Sequence, residues 1–390
     1  MRTLKQIDVR YQKVLVRCDF NVPLDESGQI SDNFRILKTL PTIKYLIEKN
    51  AKIILISHLG SPKGKDPRCS LKPIAAELSR LLGQEVKFVN DCTGSEVEKA
   101  VKNIEKRQVI LLENLRFYKE EKDNNPEFAK KLAGLADVFI QDGFGVCHRA
   151  HASVAGVAAL LPSAAGMLVE REVEVLNKIL QDPYRPLVAI IGGDKISTKI
   201  KVIKIFLDKA DHLLVGGKIA NAILAIKGIC VREPLPQEAE EVLKEVEAIN
   251  LTDPKLHLPI DGAMSLANLD EKYLRTGAVG TVRKEEEIFD VGPETVANFK
   301  NIIASAKMVI WNGPLGQSEI SPFEKASLEI AKAIKQSGAF SVIGGGETVE
   351  FVSKVGMLDD FNHVSTGGGA MLDFLAGKTL PGIEALKSKN

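Results

Sequence analysis

The sequence predicts an α/β protein of two doubly wound domains, each with a mostly parallel sheet, joined by a helix and hinge. Three observations carry that expectation. Short, nearly continuous apolar runs alternate with amphipathic stretches along all 390 residues, the pattern of strands buried on both faces beneath helices. The series of strands stops once, across 163–182, and then restarts. Beyond the restart, strand ends are repeatedly followed by glycine-rich turns.

In the first half, strands are expected at 14–20, 52–57, 86–90, 109–113 and 138–141. Amphipathic stretches such as Leu71–Leu82 lie between them. Polar residues gather just after these strands: Arg17, Asp19 and Asn21, then His58, then Arg116, then Asp142, His148, Arg149 and His151. In an open parallel sheet such turns share the carboxyl edge, where ligands bind. A lone arginine or histidine there reads as a structural hydrogen-bonder. A cluster reads as a basic pocket for a small anion, because the guanidinium fork matches carboxylate and phosphate oxygens. His148 and His151 could ligate a metal, but no third ligand stands at zinc-site spacing, so anion binding is preferred.

The break runs from Ser163. Within it, Met167–Leu180 carries apolar residues three and four apart with charges between, the spacing of a helix. Asp182-Pro-Tyr-Arg-Pro186 stops it. A second series of strands is expected at 186–191, 212–215, 256–260, 307–311 and 340–343. The first of these leads into Gly192-Gly193-Asp194-Lys195-Ile196-Ser197-Thr198-Lys199. Paired glycines let backbone N–H groups approach an anion, and the following helix start adds its dipole. Lys195 and Lys199, four apart, share a helical face. Similar turns recur at Gly216-Gly217-Lys218, Gly313–Gly316, Gly344–Thr348 and Gly367–Gly369. One such turn is equally an ordinary connection with solvated lysines. Five on one edge favour a polyphosphate or nucleotide site.

Composition narrows the classes. A hydrophobic fraction of 45% and a net charge of +1 argue against disorder and non-specific nucleic-acid binding. No apolar run approaches the ~20 residues that span a bilayer, and Met1–Asp8 lacks the apolar core of a signal peptide. Cys18, Cys69, Cys92, Cys147 and Cys230 are odd in number and form no CxxC pair, which suits a reducing cytoplasm.

In combination, several motifs resemble phosphoglycerate kinase across essentially the whole chain. They are Val-Arg-Cys-Asp-Phe-Asn-Val-Pro, Ser-His-Leu-Gly, Leu-Leu-Glu-Asn-Leu-Arg-Phe, Asp-Gly-Phe-Gly-Val-Cys-His-Arg-Ala-His-Ala-Ser, Trp-Asn-Gly-Pro and Ser-Thr-Gly-Gly-Gly-Ala. The resemblance implies a phosphoglycerate-binding domain at 1–165, with about 373–390 returning to it. It implies an interdomain helix and linker at 163–182 and a nucleotide-binding domain at 183–372. The implied activity is reversible phosphoryl transfer between 1,3-bisphosphoglycerate and ADP, in line, on domain closure, by a cytoplasmic monomer that uses Mg²⁺. Carried over by position, Asp19, Phe20, Asn21, Arg35, His58, Leu59, Gly60, Ser61, Arg116 and Arg149 hold the phosphoglycerate. Lys199, Gly216, Gly217, Glu319, Gly345, Gly346, Glu347 and Thr348 hold the nucleotide, with Glu347 also on the metal. Arg35, Lys195, Gly368 and Gly369 serve the transfer itself.

The chain departs from the family's pattern in places. Ser61 stands where an arginine is usual, Asp194 where a small residue is, Lys218 where a third glycine is, and Glu347 where an aspartate is. Gln317 and Ser318 replace two apolar residues before Glu319. Most of these fall on the nucleotide side. An alternative reading follows from them: a non-catalytic or weakly active phosphoglycerate-binding protein of the same fold with a drifted nucleotide site.

Overall fold

A computed structural model describes residues 1–194, 196–229, 240–266, 269 and 273–387. The chain divides into two units, Met1–Glu174 with the return from Gly377 onward, and Val175–Ala376. The division falls inside the helix Met167–Gln181.

The first unit is organised by β1 (Lys13–Arg17), β2 (Lys52–Ile56), β3 (Val86–Val89), β4 (Val109–Leu112), β5 (Val138–Gln141) and β6 (Ser163–Ala165). They pair in the order β3-β4-β2-β1-β5-β6, all parallel. The central strands are apolar on both faces because helices cover both, and β4 and β5 are buried along their whole length. The chain leaves β1 toward β2 on one side and resumes at β5 on the other. A crevice therefore opens at the carboxyl end of β1.

Ser163–Ala165 corrects the expectation that the helical break begins at Ser163. These residues are a strand, with Ala164 beside Ile140. Three small residues carry no readable period. The helix begins at Met167, where two side chains of the first unit satisfy its first donors: Thr42 Oγ1 accepts from Met167 N at 2.9 Å and Asp142 Oδ1 from Leu168 N at 3.0 Å. Burial lifts the Asp142 carboxyl to about 8. Asp142 thus caps a helix and does not join the basic pocket with which the sequence grouped it.

The second unit contains β7 (Leu187–Ile191), β8 (His212–Val215), β9 (Leu256–His257), β10 (Asp261–Leu266), β11 (Arg275–Ala278), β12 (Glu286–Val291), β13 (Met308–Asn312), β14 (Phe340–Gly344) and β15 (His363–Val364). Six form a parallel sheet in the order β15-β14-β13-β7-β8-β9. The order reverses between β7 and β13, which places a second crevice at their carboxyl ends. Three more strands make a separate antiparallel sheet, β11-β10-β12. The apolar-run criterion passes over this sheet because its strands are only partly buried and carry polar residues throughout.

Asp261 ties this small sheet to the rest of its unit. Its buried carboxylate accepts from Glu294 N (3.0 Å), Thr295 N (2.8 Å) and Thr295 Oγ1 (2.6 Å), closing the start of the helix Pro293–Ala304. Removing it leaves buried donors without partners. Asp261→Ala is expected to destabilise the second unit by about 2 kcal/mol. Trp311, the single tryptophan, is fully buried in β13, so urea unfolding followed by its fluorescence reads the change in this unit.

Candidate active site

Four turns meet at the carboxyl edge of the first sheet. Asp19, Phe20 and Asn21 follow β1; His58, Leu59, Gly60 and Ser61 follow β2; Arg116 follows β4 and Arg149 follows β5. Arg35 enters from the first turn of the helix Phe34–Glu48. Arg35 Nη1 pairs with Asp19 Oδ2 at 2.5 Å. Asn21 Oδ1 accepts from Gly60 N at 2.7 Å, and Phe20 N donates to Ser57 Oγ at 2.8 Å. Arg116 donates to Gly60 O at 2.7 Å and to Ser61 Oγ at 3.3 Å. The first two turns are thereby laced together by the site residues themselves. Leu59 is buried beneath them.

Arg17 lies below this layer and not in it. It is fully buried, with Nε on Ser153 Oγ at 2.8 Å, Nη2 3.3 Å from His58 Nδ1 and 4.0 Å from Glu121 Oε1. Glu121 is buried too and takes the Ser153 amide and hydroxyl. The sequence grouped Arg17 with the pocket because it could not say which groups a strand-end arginine faces.

The electrostatics are those of a cation cluster. Arg17, Arg35, Arg116 and Arg149 outnumber Asp19 and Glu121. Burial, then Arg17 and Arg149, push the Arg116 guanidinium down to about 10. Arg116 Nε is buried with no hydrogen-bond partner among the described residues. Burial and then Arg17 hold His58 well below the usual imidazole range. Burial, then Arg116 and Arg17, push His151 down to about 4. Arg149 is exposed. An incoming anion relieves each of these repulsions at once.

The second unit gathers its chemistry at the β7/β13 reversal. Gly193 N donates to Pro314 O at 2.8 Å, Gly217 N to Leu315 O at 2.9 Å, and Gly313 N to Thr348 Oγ1 at 2.6 Å. Gly193 and Gly313 have φ of +84° and +92°, and a side chain on either would run into the Lys199 ammonium. These glycines are required by a crossing of backbones. Lys199, in the first turn of the helix Ile196–Lys209, is 5% exposed. Its Nζ donates to Gly192 O at 2.5 Å and lies 3.9 Å from Glu347 Oε2. Glu347 is half-exposed in the first turn of the helix Gly346–Lys354. Thr348 beside it is fully buried under the Gly313 turn. Gly368 starts a further helix, Gly368–Leu375, which includes Gly369. A methyl group on Gly368 would sit 3.3 Å from Gly345 Cα and 3.4 Å from Gly346 N. Two helix N-termini therefore converge, an arrangement that suits phosphate. Lys195 lies outside the described residues.

An open cleft is lined by Asp194, Gly316, Gln317, Ser318, Glu319, Glu347, Glu350, Phe351 and Lys354. A narrower slot beside it runs between Gly193, Gly217, Lys218 and Asn221 on one side and Ile288, Phe289 and Val291 on the other. Gly216 is packed behind it against Leu315. The sequence missed Asn221, Ile288 and Phe289, and neither a glycine turn nor a regular period marks them. A hard divalent cation fits Glu347. Mg²⁺ typically takes one or two carboxylates and completes its shell with water and phosphate oxygens, and no cluster of three or more metal-ligating side chains forms among the described residues.

A doubly wound α/β unit with a cationic edge, and another with a buried lysine between glycine turns and helix N-termini, define an enzyme of phosphoryl chemistry. Comparison with known proteins names the family. The family model for phosphoglycerate kinase matches residues 4–378. The chain is 44% identical to the phosphoglycerate kinase of Dictyoglomus turgidum over 390 residues, covering 99% of this chain and 98% of that one. It is 45% identical to that of Moorella thermoacetica over 391 residues, covering 99% of each. The solved phosphoglycerate kinase of Coxiella burnetii matches with a TM-score of 0.85 at 39% identity, covering 98% of both chains. That of Pyrococcus horikoshii matches at 0.87 and 31%, covering 99% and 98%. The chain belongs to the phosphoglycerate kinase family, and it is a kinase, a transferase.

The suppressed basicity of His151 makes stability depend on pH. Folding holds this imidazole neutral, at about 4 against 6.5 unfolded. Its contribution is complete above pH 6.5 and is lost as pH falls through that window. At pH 5 the loss is ~2 kcal/mol. His151→Gln is expected to flatten the change in unfolding free energy between pH 7 and pH 5 by about that amount, measured by urea unfolding followed by circular dichroism.

Proposed function

We propose that the cationic edge of the first unit binds 3-phosphoglycerate and 1,3-bisphosphoglycerate, and that the glycine-turn cleft of the second binds ADP and ATP. The enzyme then moves a phosphoryl group reversibly between the acyl phosphate and ADP. The cation excess around Arg116 carries the reading, because it is a field built for a small, strongly charged anion. Arg35, Arg116 and Arg149, with Asp19, Asn21 and His58, hold the phosphoglycerate. Lys199, Glu319 and the turns at Gly216–Gly217 and Gly345–Thr348 hold the nucleotide.

The chemistry asks for positioning more than for acid or base. The acceptor carboxylate is ionised at neutral pH, so no general base is needed. Charge spreads over the equatorial oxygens of a loose transition state. Arg35, Lys195 and the N–H groups at Gly368 and Gly369 stabilise that charge. Closure of one half-site on the other is part of the proposal, because an acyl phosphate left in water hydrolyses. Glu347 would hold Mg²⁺, which supplies neutralisation of the nucleotide's phosphates. We further infer a cytoplasmic monomer that binds neither nucleic acid nor membrane. Among the described residues no helix is long and apolar enough to cross a bilayer. A coupled assay with ATP and 3-phosphoglycerate, run across Mg²⁺ and Mn²⁺, tests the whole reading; absence of turnover with either metal overturns it.

Arg149→Ala is expected to raise the KM for 3-phosphoglycerate about tenfold, since a charge-assisted contact contributes ~1.5–3 kcal/mol, and to leave the KM for ATP nearly unmoved. Equal weakening of both ligands would assign Arg149 to the fold instead.

Glu347→Gln is expected to raise the Mg²⁺ concentration needed for half-maximal turnover, because a hard cation loses a full negative charge. Titrating Mg²⁺ at fixed nucleotide reads the shift. An unchanged metal dependence would remove Glu347 from the site.

A further inference from the structure

Asp194 follows Gly193 in the turn after β7, and Lys218 stands second in the helix Gly217–Ile226. Lys218 Nζ lies 3.2 Å from Asp194 Oδ2. The two side chains are 43% and 52% exposed, so their pairing contributes little to folding. The glycine before each is held by a backbone hydrogen bond, Gly193 N to Pro314 O and Gly217 N to Leu315 O. The ion pair thus spans two neighbouring turns that line the narrow slot.

Asp194 also lines the wider cleft, with Glu319, Glu347 and Glu350. Lys354 is the cation in that lining, and Lys199 lies buried beside Glu347. A polyphosphate approaching four carboxylates is repelled by each one left without a counter-charge. Lys218 supplies the counter-charge for Asp194, and its four-carbon stem forms part of the slot's wall.

We propose that Asp194 and Lys218 act as one nucleotide-positioning unit, in which Lys218 neutralises Asp194 where the two cavities meet. Nucleotide affinity then depends on the pair and not on either residue alone. This rests on the assignment of the nucleotide to the second unit.

The test is a double-mutant cycle on the full-length enzyme, with KM measured for Mg-ATP and for 3-phosphoglycerate at low and high salt. Lys218→Met keeps the stem and removes the charge. It is expected to raise the KM for Mg-ATP about tenfold at low salt, to lose most of that defect at high salt, and to leave the KM for 3-phosphoglycerate unmoved. Lys218→Arg retains the parent KM to within about twofold. Adding Asp194→Asn to Lys218→Met returns the KM to within about threefold of the parent, because the uncompensated carboxylate is gone. Additive effects, or a defect indifferent to salt, overturn the proposal. Lys199→Ala serves as the control. If it too leaves the KM for Mg-ATP unmoved, the nucleotide assignment itself fails. If it raises that KM while Lys218→Met does not, only the role of the pair fails.

Discussion

The second unit depends on one close approach: the turn Gly192–Gly193 crossing the turn Gly313–Pro314. Neighbouring parallel strands β7 and β13 deliver both turns to the same point. A hydrogen bond from Gly193 N to Pro314 O joins them, and Thr348 Oγ1 holds the crossing from below. No side chain fits at Gly192, Gly193 or Gly313 without striking backbone or the Lys199 ammonium. The crossing makes the niche into which Lys199 is buried, with Gly192 O as its acceptor. A buried ammonium needs such partners, since desolvation would otherwise disfavour its charge. The glycines, the lysine and the strand order are therefore one constraint seen at three levels.

The first unit solves a different problem, which is to hold cations together without collapse. Arg17 is placed at the bottom and tied to Ser153 and Glu121. His58 and His151 are kept neutral by burial and by the arginines around them. Neutral imidazoles pack between guanidiniums at lower cost than further cations would. Arg35 is steadied by Asp19, and Arg116 by the Gly60 carbonyl. Repulsion that remains is a store of affinity for an anion, and the turns that carry it are braced on strands buried along their length.

Most of the parallel strands were legible because burial on both faces makes them largely apolar; their ends shift by up to three residues, as at 14–20 against Lys13–Arg17 and 256–260 against Leu256–His257, and His363–Val364 was not among the expected strands. The break helix was legible from its three-and-four spacing. What escaped reading obeys a common rule. Ser163–Ala165 is too short and small-sided to carry a period, and β10–β12 mix polar and apolar residues on a partly solvated sheet. The strand-end motifs named turns that the structure gathers at the carboxyl edges of the two parallel sheets. Sequence does not tell which residue of a turn faces outward, however, so Arg17 and Asp142 were grouped with the pocket although both serve beneath it. Asp261 and its helix cap were unread because the partner lies over thirty residues away in sequence.

The charged residues that depart from the family's pattern fall into place once they are placed in space. Asp194 and Lys218 are 24 positions apart in sequence, yet their charges meet. Read singly, one lowers the local positive potential and the other crowds a slot. Read together, they cancel in charge and share a wall. Glu347, longer by one methylene than an aspartate, comes within 3.9 Å of an ammonium that is buried seven residues from its own carbonyl acceptor. A longer carboxylate at a helix N-terminus keeps the favourable dipole interaction while extending further from the backbone. Each charged departure, Asp194, Lys218 and Glu347, is thus answered by a neighbour of opposite sign, the pattern expected when a site keeps its net field while changing the residues that make it.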